Sequence, residues 1–372
     1  MPITELRVAG YRSVVGVALP LKRVNVLVGP NGCGKSNLYQ SMALLWAAAQ
    51  GTLAQALARE GGMPSALWAG ASKGEQELSL GVTIDEADLD IRIGTVPAQL
   101  GRFASLFQTD PAVKEERLVS RSGTKKVTLM ERGPGVCYIR DREGVRTPYV
   151  LSLRHEESVL SQVTDPYQYP HLQALRNRIL QWRFYHQFRT DLDSPLRQPQ
   201  VAVRTFIMAH DGRDVASALR TIVENGDDAS LYEAIDEAFE GAKLEFVRTN
   251  EGIEFSLQYR GLYRQLGARE LSDGTLRYVC LLAALLSPTP PPLIALNEPE
   301  TSLHPQLLDP LAKLIARAST YSQIWLTTHS RALAEAIESH SGVAPIELVK
   351  IDGQTMRKGR TDKRVYLSAE DD

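Results

Sequence analysis

The chain has 372 residues, 43% hydrophobic and 23% charged, which suits a soluble globular protein of one large or two modest domains. Its 42 Lys and Arg against 44 Asp and Glu leave a net charge of -2, which excludes a global field that attracts nucleic acid. Cys33, Cys137 and Cys280 lie far apart, which excludes CxxC zinc sites and a disulfide framework. No run reaches the roughly 18 apolar residues of a membrane helix, and "MPITELRVAGYRS" lacks a signal-peptide layout. A cytoplasmic protein without a membrane partner segment is expected.

In chain order, "ITELRVAGYRSV" alternates as a strand and "RVNVLV" is a second, more apolar one. A Gly-rich turn follows, then a helix through "SNLYQSMALLWAAAQ". From about residue 75 to 150 the chain is strand-rich, in "ELSLGVTI", "DLDIRIG", "KKVTLMERG" and "VCYIRDREG". Helical periodicity takes over between about 155 and 241, in "HLQALRNRILQWRFYHQF", "DVASALRTIVENG" and "SLYEAIDEAFEG". "KLEFVRTNEGIEFSLQYRG" reads as a hairpin turning at Asn250–Gly252. The last third alternates helix and buried strand: "TLRYVCLLAALLS", "PLIALN", "LLDPLAKLIARAS", "QIWLTT", "RALAEAIES" and "IELVKI". No internal repeat or sustained heptad occurs, and "SAEDD" reads as a frayed acidic tail.

Four stretches carry chemistry. "GPNGCGKS" comprises Gly29, Pro30, Asn31, Gly32, Cys33, Gly34, Lys35 and Ser36, and fits G-x-x-x-x-G-K-[ST] between an apolar strand and a helix. Glycines allow backbone N–H groups to turn inward around a phosphate, and the helix start, running on into Asn37, adds its free amides. Lys35 would neutralise the β- and γ-phosphates, and the Ser36 hydroxyl would ligate Mg²⁺. In "ELSDGTLRYVCLLAALLS", Ser272 or Asp273 either caps the following helix or joins Gly274 in a second anion cradle, serving a nucleotide bound on a partner subunit. "LIALNEPETSLHP" ends an apolar strand in Asn297, Glu298, Pro299 and Glu300, where parallel α/β sheets gather ligands. There Glu298 either activates a water or is a solvated loop carboxylate. His329, at the tip of "QIWLTTHS", either bonds the γ-phosphate or is a capping or structural histidine.

Together these motifs resemble the ABC-type ATPases, in particular the soluble RecF- and OLD-like "predicted ATPase" group with an AAA-type ATP-binding domain and chromosome-maintenance-like heads. "GPNGCGKS" looks like Walker A, "LSDGT" like the signature motif, "LIALNEPETSLHP" like Walker B and "TTHS" like the switch histidine. The resemblance implies an α/β P-loop NTPase fold of the ABC-ATPase head type, split, with an antiparallel β lobe and an inserted helical lobe. It implies a single head over 1–372. Its parts are a P-loop portion at 1–74, a β-rich lobe at 75–150, a helical insert at 151–245 and a signature, Walker B and switch-histidine portion at 246–372. It further implies ATP and Mg²⁺ as cofactors, Glu298, His329 and Lys35 as catalytic residues, and Ser36 and Asn297 around the metal. Heads of this kind pair head-to-tail, so each ATP would meet one copy's Walker A and the other copy's Ser272 and Gly274. Gln162 is the candidate metal-sensing glutamine. The insert is too short for the long coiled coils of chromosome-maintenance heads, and the forty or so residues after His329 leave no room for the nuclease domain of OLD-type proteins.

Asn297 departs from the pattern, standing where an aspartate is expected. Its carbonyl oxygen can still accept a bond from a metal-bound water, but a full negative charge is lost. Weakened metal affinity and slow hydrolysis are expected, and an ATP-sensing scaffold that recruits an effector protein is the competing class. DNA binding is a third. Between Lys114 and Arg146 basic residues exceed acidic ones by four, which gives either a phosphate-binding face or a solvated hairpin. "QWRFYHQFR" either stacks on a single strand or buries its aromatics from an amphipathic helix.

Overall fold

The computed structural model describes residues 2–70, 76–96, 109–123, 125–150 and 152–359. The acidic tail lies outside the described residues. Two compact units emerge, one drawn from Met1–Lys22, Gly29–Gln181 and Glu347–Asp372, the other from Arg23–Val28 and Trp182–Ile346.

The first unit is organised by an eight-stranded antiparallel sheet. Its order is Val14–Pro20, Ile3–Tyr11, Leu78–Ile84, Ala87–Thr95, Pro111–Ser122, Lys125–Gly133, Val136–Arg140, Arg146–Pro148. One continuous strand is expected over "ITELRVAGYRSV", and the chain turns within it. Ile3–Tyr11 and Val14–Pro20 are a hairpin instead, with Arg12 at φ 48° in its turn. Pro111–Ser122 was missing from the sequence reading, because Glu116 faces inward where an apolar residue would mark the alternation. Glu116 is buried and accepts bonds from Ser158 Oγ (2.5 Å) and Val159 N (2.7 Å). Burial pushes its carboxyl pKa up despite these bonds. The helix Lys35–Gln50 is buried on more than one face, Leu38, Met42, Leu44 and Leu45 being fully enclosed. A hairpin of Ile346–Ile351 and Gln354–Arg357 completes this unit, its second strand lying along Val14–Pro20.

The second unit holds a parallel sheet of Arg183–Tyr185, Leu293–Asn297, Gln323–Thr328 and Val24–Val28 in that order. Leu293–Leu296 and Ile324–Leu326 are unbroken apolar runs, the pattern of strands buried on both faces. Helices Val215–Asn225, Asp228–Ala238, Asp273–Leu285, Leu308–Ala318 and Arg331–Ser341 bury Leu219, Leu231, Val279, Leu311 and Ile337 in one core. The hairpin at 250 is present, with Lys243–Arg248 paired to Ile253–Gln258. The expected long helix over 171–188 is corrected: Pro170–Leu180 is helical, but Arg183–Tyr185 is a strand. Aromatic residues favour a pleated, half-buried surface, and pairing with Leu293–Asn297 overrides the helical period. Trp182, Phe184, Tyr185 and Phe188 are all buried.

Candidate functional site

The phosphate loop begins directly after Val24–Val28. Gly32 (φ 77°) and Gly34 (φ 101°) take the left-handed conformation that turns backbone amides toward a common centre. Gly34 also has no room for a side chain, since a Cβ there would overlap Thr355 Oγ1. At Gly29 a Cβ would stand 2.5 Å from the Leu348 carbonyl and 2.8 Å from Cys33 Sγ. Gly34 caps the helix, its carbonyl accepting from Asn37 N and Leu38 N. The Lys35 ammonium donates to the carbonyls of Gly29 (2.8 Å) and Pro30 (3.1 Å), leaving one of its three donors for a phosphate oxygen. Ser36 is exposed at the helix start, as are Pro30, Asn31 and Gly32, whereas Cys33 is buried. Such a cradle has the chemistry to receive a phosphate group, and the exposed Ser36 hydroxyl stands at its rim.

Behind the loop runs a chain of polar contacts that sequence reading missed. Asn37 Nδ2 donates to Ser13 Oγ (2.7 Å), and Ser13 Oγ shares a hydrogen with Thr355 Oγ1 (2.7 Å). Thr355 N also donates to the Ser13 carbonyl (2.7 Å). Gln162 lies in this first unit. Its side chain binds Arg154 N and the carbonyls of Arg154 and Glu157, closing its own loop.

In the second unit, parallel pairing aligns Asn297 with Thr327. Thr327 Oγ1 donates to Asn297 Oδ1 at 2.8 Å. Glu298 follows with φ 47°, and Ser302 has φ 66°, so the loop after this strand holds two non-glycine residues in the left-handed region. Such strain of about 1–3 kcal/mol per residue concentrates at functional loops. The Glu298 amide bonds the Thr327 carbonyl (2.8 Å) and its carboxylate stays accessible. His329 Nδ1 lies 3.9 Å from Glu298 Oε2 and 3.2 Å from Glu300 Oε1. Ser330, not His329, caps the next helix, accepting from Leu333 N.

In the sequence Glu300 is only one acid of the "NEPE" cluster. It is buried, and Oε1 accepts from Thr328 Oγ1 (2.5 Å), His329 N (3.1 Å) and Ser330 N (3.4 Å). It therefore holds the turn that carries His329. A buried acid on a short polar loop gives no periodic signal, so sequence alone could not rank it above its neighbours.

Ser272 caps Asp273–Leu285, accepting from Thr275 N at 3.2 Å, so the capping reading of this serine is the observed one. That role leaves its exposed position at the helix start unchanged. Gly274 is required by packing: a Cβ would stand 2.5 Å from the Ser302 carbonyl, on the loop that Glu298 begins.

The residues considered for nucleic acid are partly committed elsewhere. Arg132 donates to the Glu157 and Arg154 carbonyls, Arg140 to those of Thr128 and Gly144, while Arg146 pairs with Glu131 and Arg121 with Asp88. No described helix is long and apolar enough to cross a membrane.

A glycine-lined loop between strand and helix, with an acidic strand end and a capped serine turn, defines a P-loop NTPase fold of the ABC-ATPase head type. Two solved structures share that fold. One is the crystal structure of the SmcHead bound to the C-winged helix domain of ScpA, 14% identical with a TM-score of 0.54 over 96% of this chain and 97% of that one. The other is the Smc head domain with an extended coiled coil, bound to the C-terminal domain of ScpA, from Pyrococcus furiosus. It is 13% identical, with a TM-score of 0.52 over 96% of this chain and 95% of that one. No curated protein matches the chain. Residues 24–335 match the family described as "AAA domain, putative AbiEii toxin, Type IV TA system", and the chain belongs to this family of AAA-type ATPase domains.

Proposed function

We propose that this chain binds ATP with Gly29–Ser36 and hydrolyses it slowly to ADP and phosphate, using the cycle to close and open a head-to-tail homodimer. The observation that supports this most is the loop itself. Gly32 and Gly34 stand in left-handed conformations, and the buried Lys35 is aimed at the loop's own carbonyls. Lys35 offsets phosphate charge, Glu298 accepts the proton of an attacking water, and His329 contacts the γ-phosphate. Ser36 and Asn297 would hold a magnesium ion, which would supply charge neutralisation for the triphosphate. Ser272 and Gly274 serve the ATP of the second copy. In this reading the protein is a cytoplasmic relative of the RecF- and OLD-like ATPases, acting in DNA repair or phage defence, with the 1–372 chain a single head.

Asn297 favours a second reading, an ATP-sensing scaffold whose hydrolysis is vestigial and which recruits an effector protein or binds DNA. The variant Glu298→Gln separates the two. In the ATPase reading it abolishes phosphate release and traps a stable ATP-dependent dimer, seen by light scattering after size exclusion, while Lys35→Ala neither binds nucleotide nor dimerises. If the parent releases no more phosphate than Lys35→Ala in millimolar magnesium yet still binds ATP, hydrolysis is excluded and the scaffold reading stands.

A further inference from the structure

Arg197 closes a short turn, Pro195–Arg197, that Ser194 caps through Leu196 N. Its guanidinium is buried. Nε donates to the Thr190 carbonyl at 2.9 Å, and Nη1 lies 3.1, 3.0 and 2.9 Å from the carbonyls of Ala268, Arg269 and Leu271. Nη2 donates to Asp273 Oδ1 at 2.7 Å. Four of these five acceptors therefore belong to the stretch that leads into the signature helix. A planar guanidinium fixes its acceptors in one fork, which a flexible ammonium cannot reproduce.

Charge adds a second argument. Asp273 is the first residue of the helix, between Ser272 and Gly274, and its side chain is exposed. An unpaired carboxylate there would itself occupy the positive end of the helix and repel an approaching phosphate. Arg197 removes most of that repulsion and holds the carboxylate by one oxygen, leaving the backbone amides of the turn for an incoming anion.

We infer that Arg197 is a positioning residue for the signature turn, setting the path of residues 268–273 and neutralising Asp273 so that the turn can receive the γ-phosphate of ATP held by a second copy. This rests on the head-to-tail reading proposed above. A purely structural arginine would depress stability, nucleotide binding and pairing together. A positioning role separates them, and it is electrostatically coupled to Asp273.

The experiment uses the full chain carrying Glu298→Gln, with Arg197→Ala, Arg197→Lys, Asp273→Asn and the Arg197→Ala/Asp273→Asn pair added. Affinity for a fluorescent ATP analogue is measured at dilutions where the chain is monomeric, and ATP-driven pairing by light scattering across concentration. Both Arg197 variants should keep nucleotide affinity within about twofold while needing about tenfold more protein to pair, and Asp273→Asn should recover at least a third of that loss. Should Arg197→Ala not fold, Arg197→Lys with and without Asp273→Asn decides the matter. Unchanged pairing in the Arg197 variants, an equal fall in nucleotide affinity, or no recovery by Asp273→Asn overturns the inference. If the Glu298→Gln parent itself does not pair with ATP, the head-to-tail reading falls and the role of Arg197 with it.

Discussion

Asn297 ends its strand with its amide oxygen facing the Thr327 hydroxyl. A threonine hydroxyl can donate or accept, so the amide can turn over and offer that oxygen outward without losing its partner. An aspartate in its place would keep the same contact and add a negative charge opposite the dication of the proposed site. The Coulomb gain at 4–5 Å is several kcal/mol at an effective dielectric near 20, and desolvation cancels most of it, leaving about 1 kcal/mol. Asn297→Asp is therefore expected to lower the magnesium concentration for half-maximal phosphate release about fivefold. A magnesium titration of wild type and variant measures this, and identical curves would place Asn297 away from the metal. At the same scale, Glu298 and Glu300 look alike in "NEPE" but differ in place. Glu298 is accessible on a left-handed backbone, whereas Glu300 is buried beneath the His329 turn. No property of the residue type separates them. Only the path of the loop does.

Among the elements, the hairpin Ile346–Ile351 and Gln354–Arg357 is the least expected contributor. Its Thr355 occupies the space that Gly34 leaves open and reaches Asn37 through Ser13. Replacing the hydroxyl by a methyl group in Thr355→Val keeps the shape and removes about 1 kcal/mol of hydrogen bonding. ATP affinity, read by equilibrium fluorescence, should fall about fivefold with little change in Tm. Unaltered affinity would leave the hairpin a passive neighbour. Periodicity revealed the helices Lys35–Gln50, Asp273–Leu285, Leu308–Ala318 and Arg331–Ser341, because each has a long apolar register. Periodicity misled over 181–188, where three strand residues carry too little pattern to outweigh a continuing helical phase. It also failed at Pro111–Ser122, where the buried Glu116 is paid no heed by any rule that equates interior with apolar.

At the level of the whole molecule, the phosphate loop and the acidic strand were legible because both are chemical patterns tied to strand ends. The backing of the phosphate loop and the support of the 268–273 turn were not, since Ser13 and Thr355 in the one and Arg197 in the other act through tertiary contacts between residues far apart in sequence. If the catalytic unit is a pair of copies, phosphate release per chain should rise with protein concentration toward a plateau. Steady-state rates across a hundredfold range of concentration test this, and a constant rate per chain would mean that one copy suffices.

The contact between Ser13 and Thr355 spans 342 positions. A nascent polypeptide emerging from the ribosome therefore carries its glycine loop long before the threonine that backs it has been translated. Until that segment has been made, the loop lacks the rear support that shapes it.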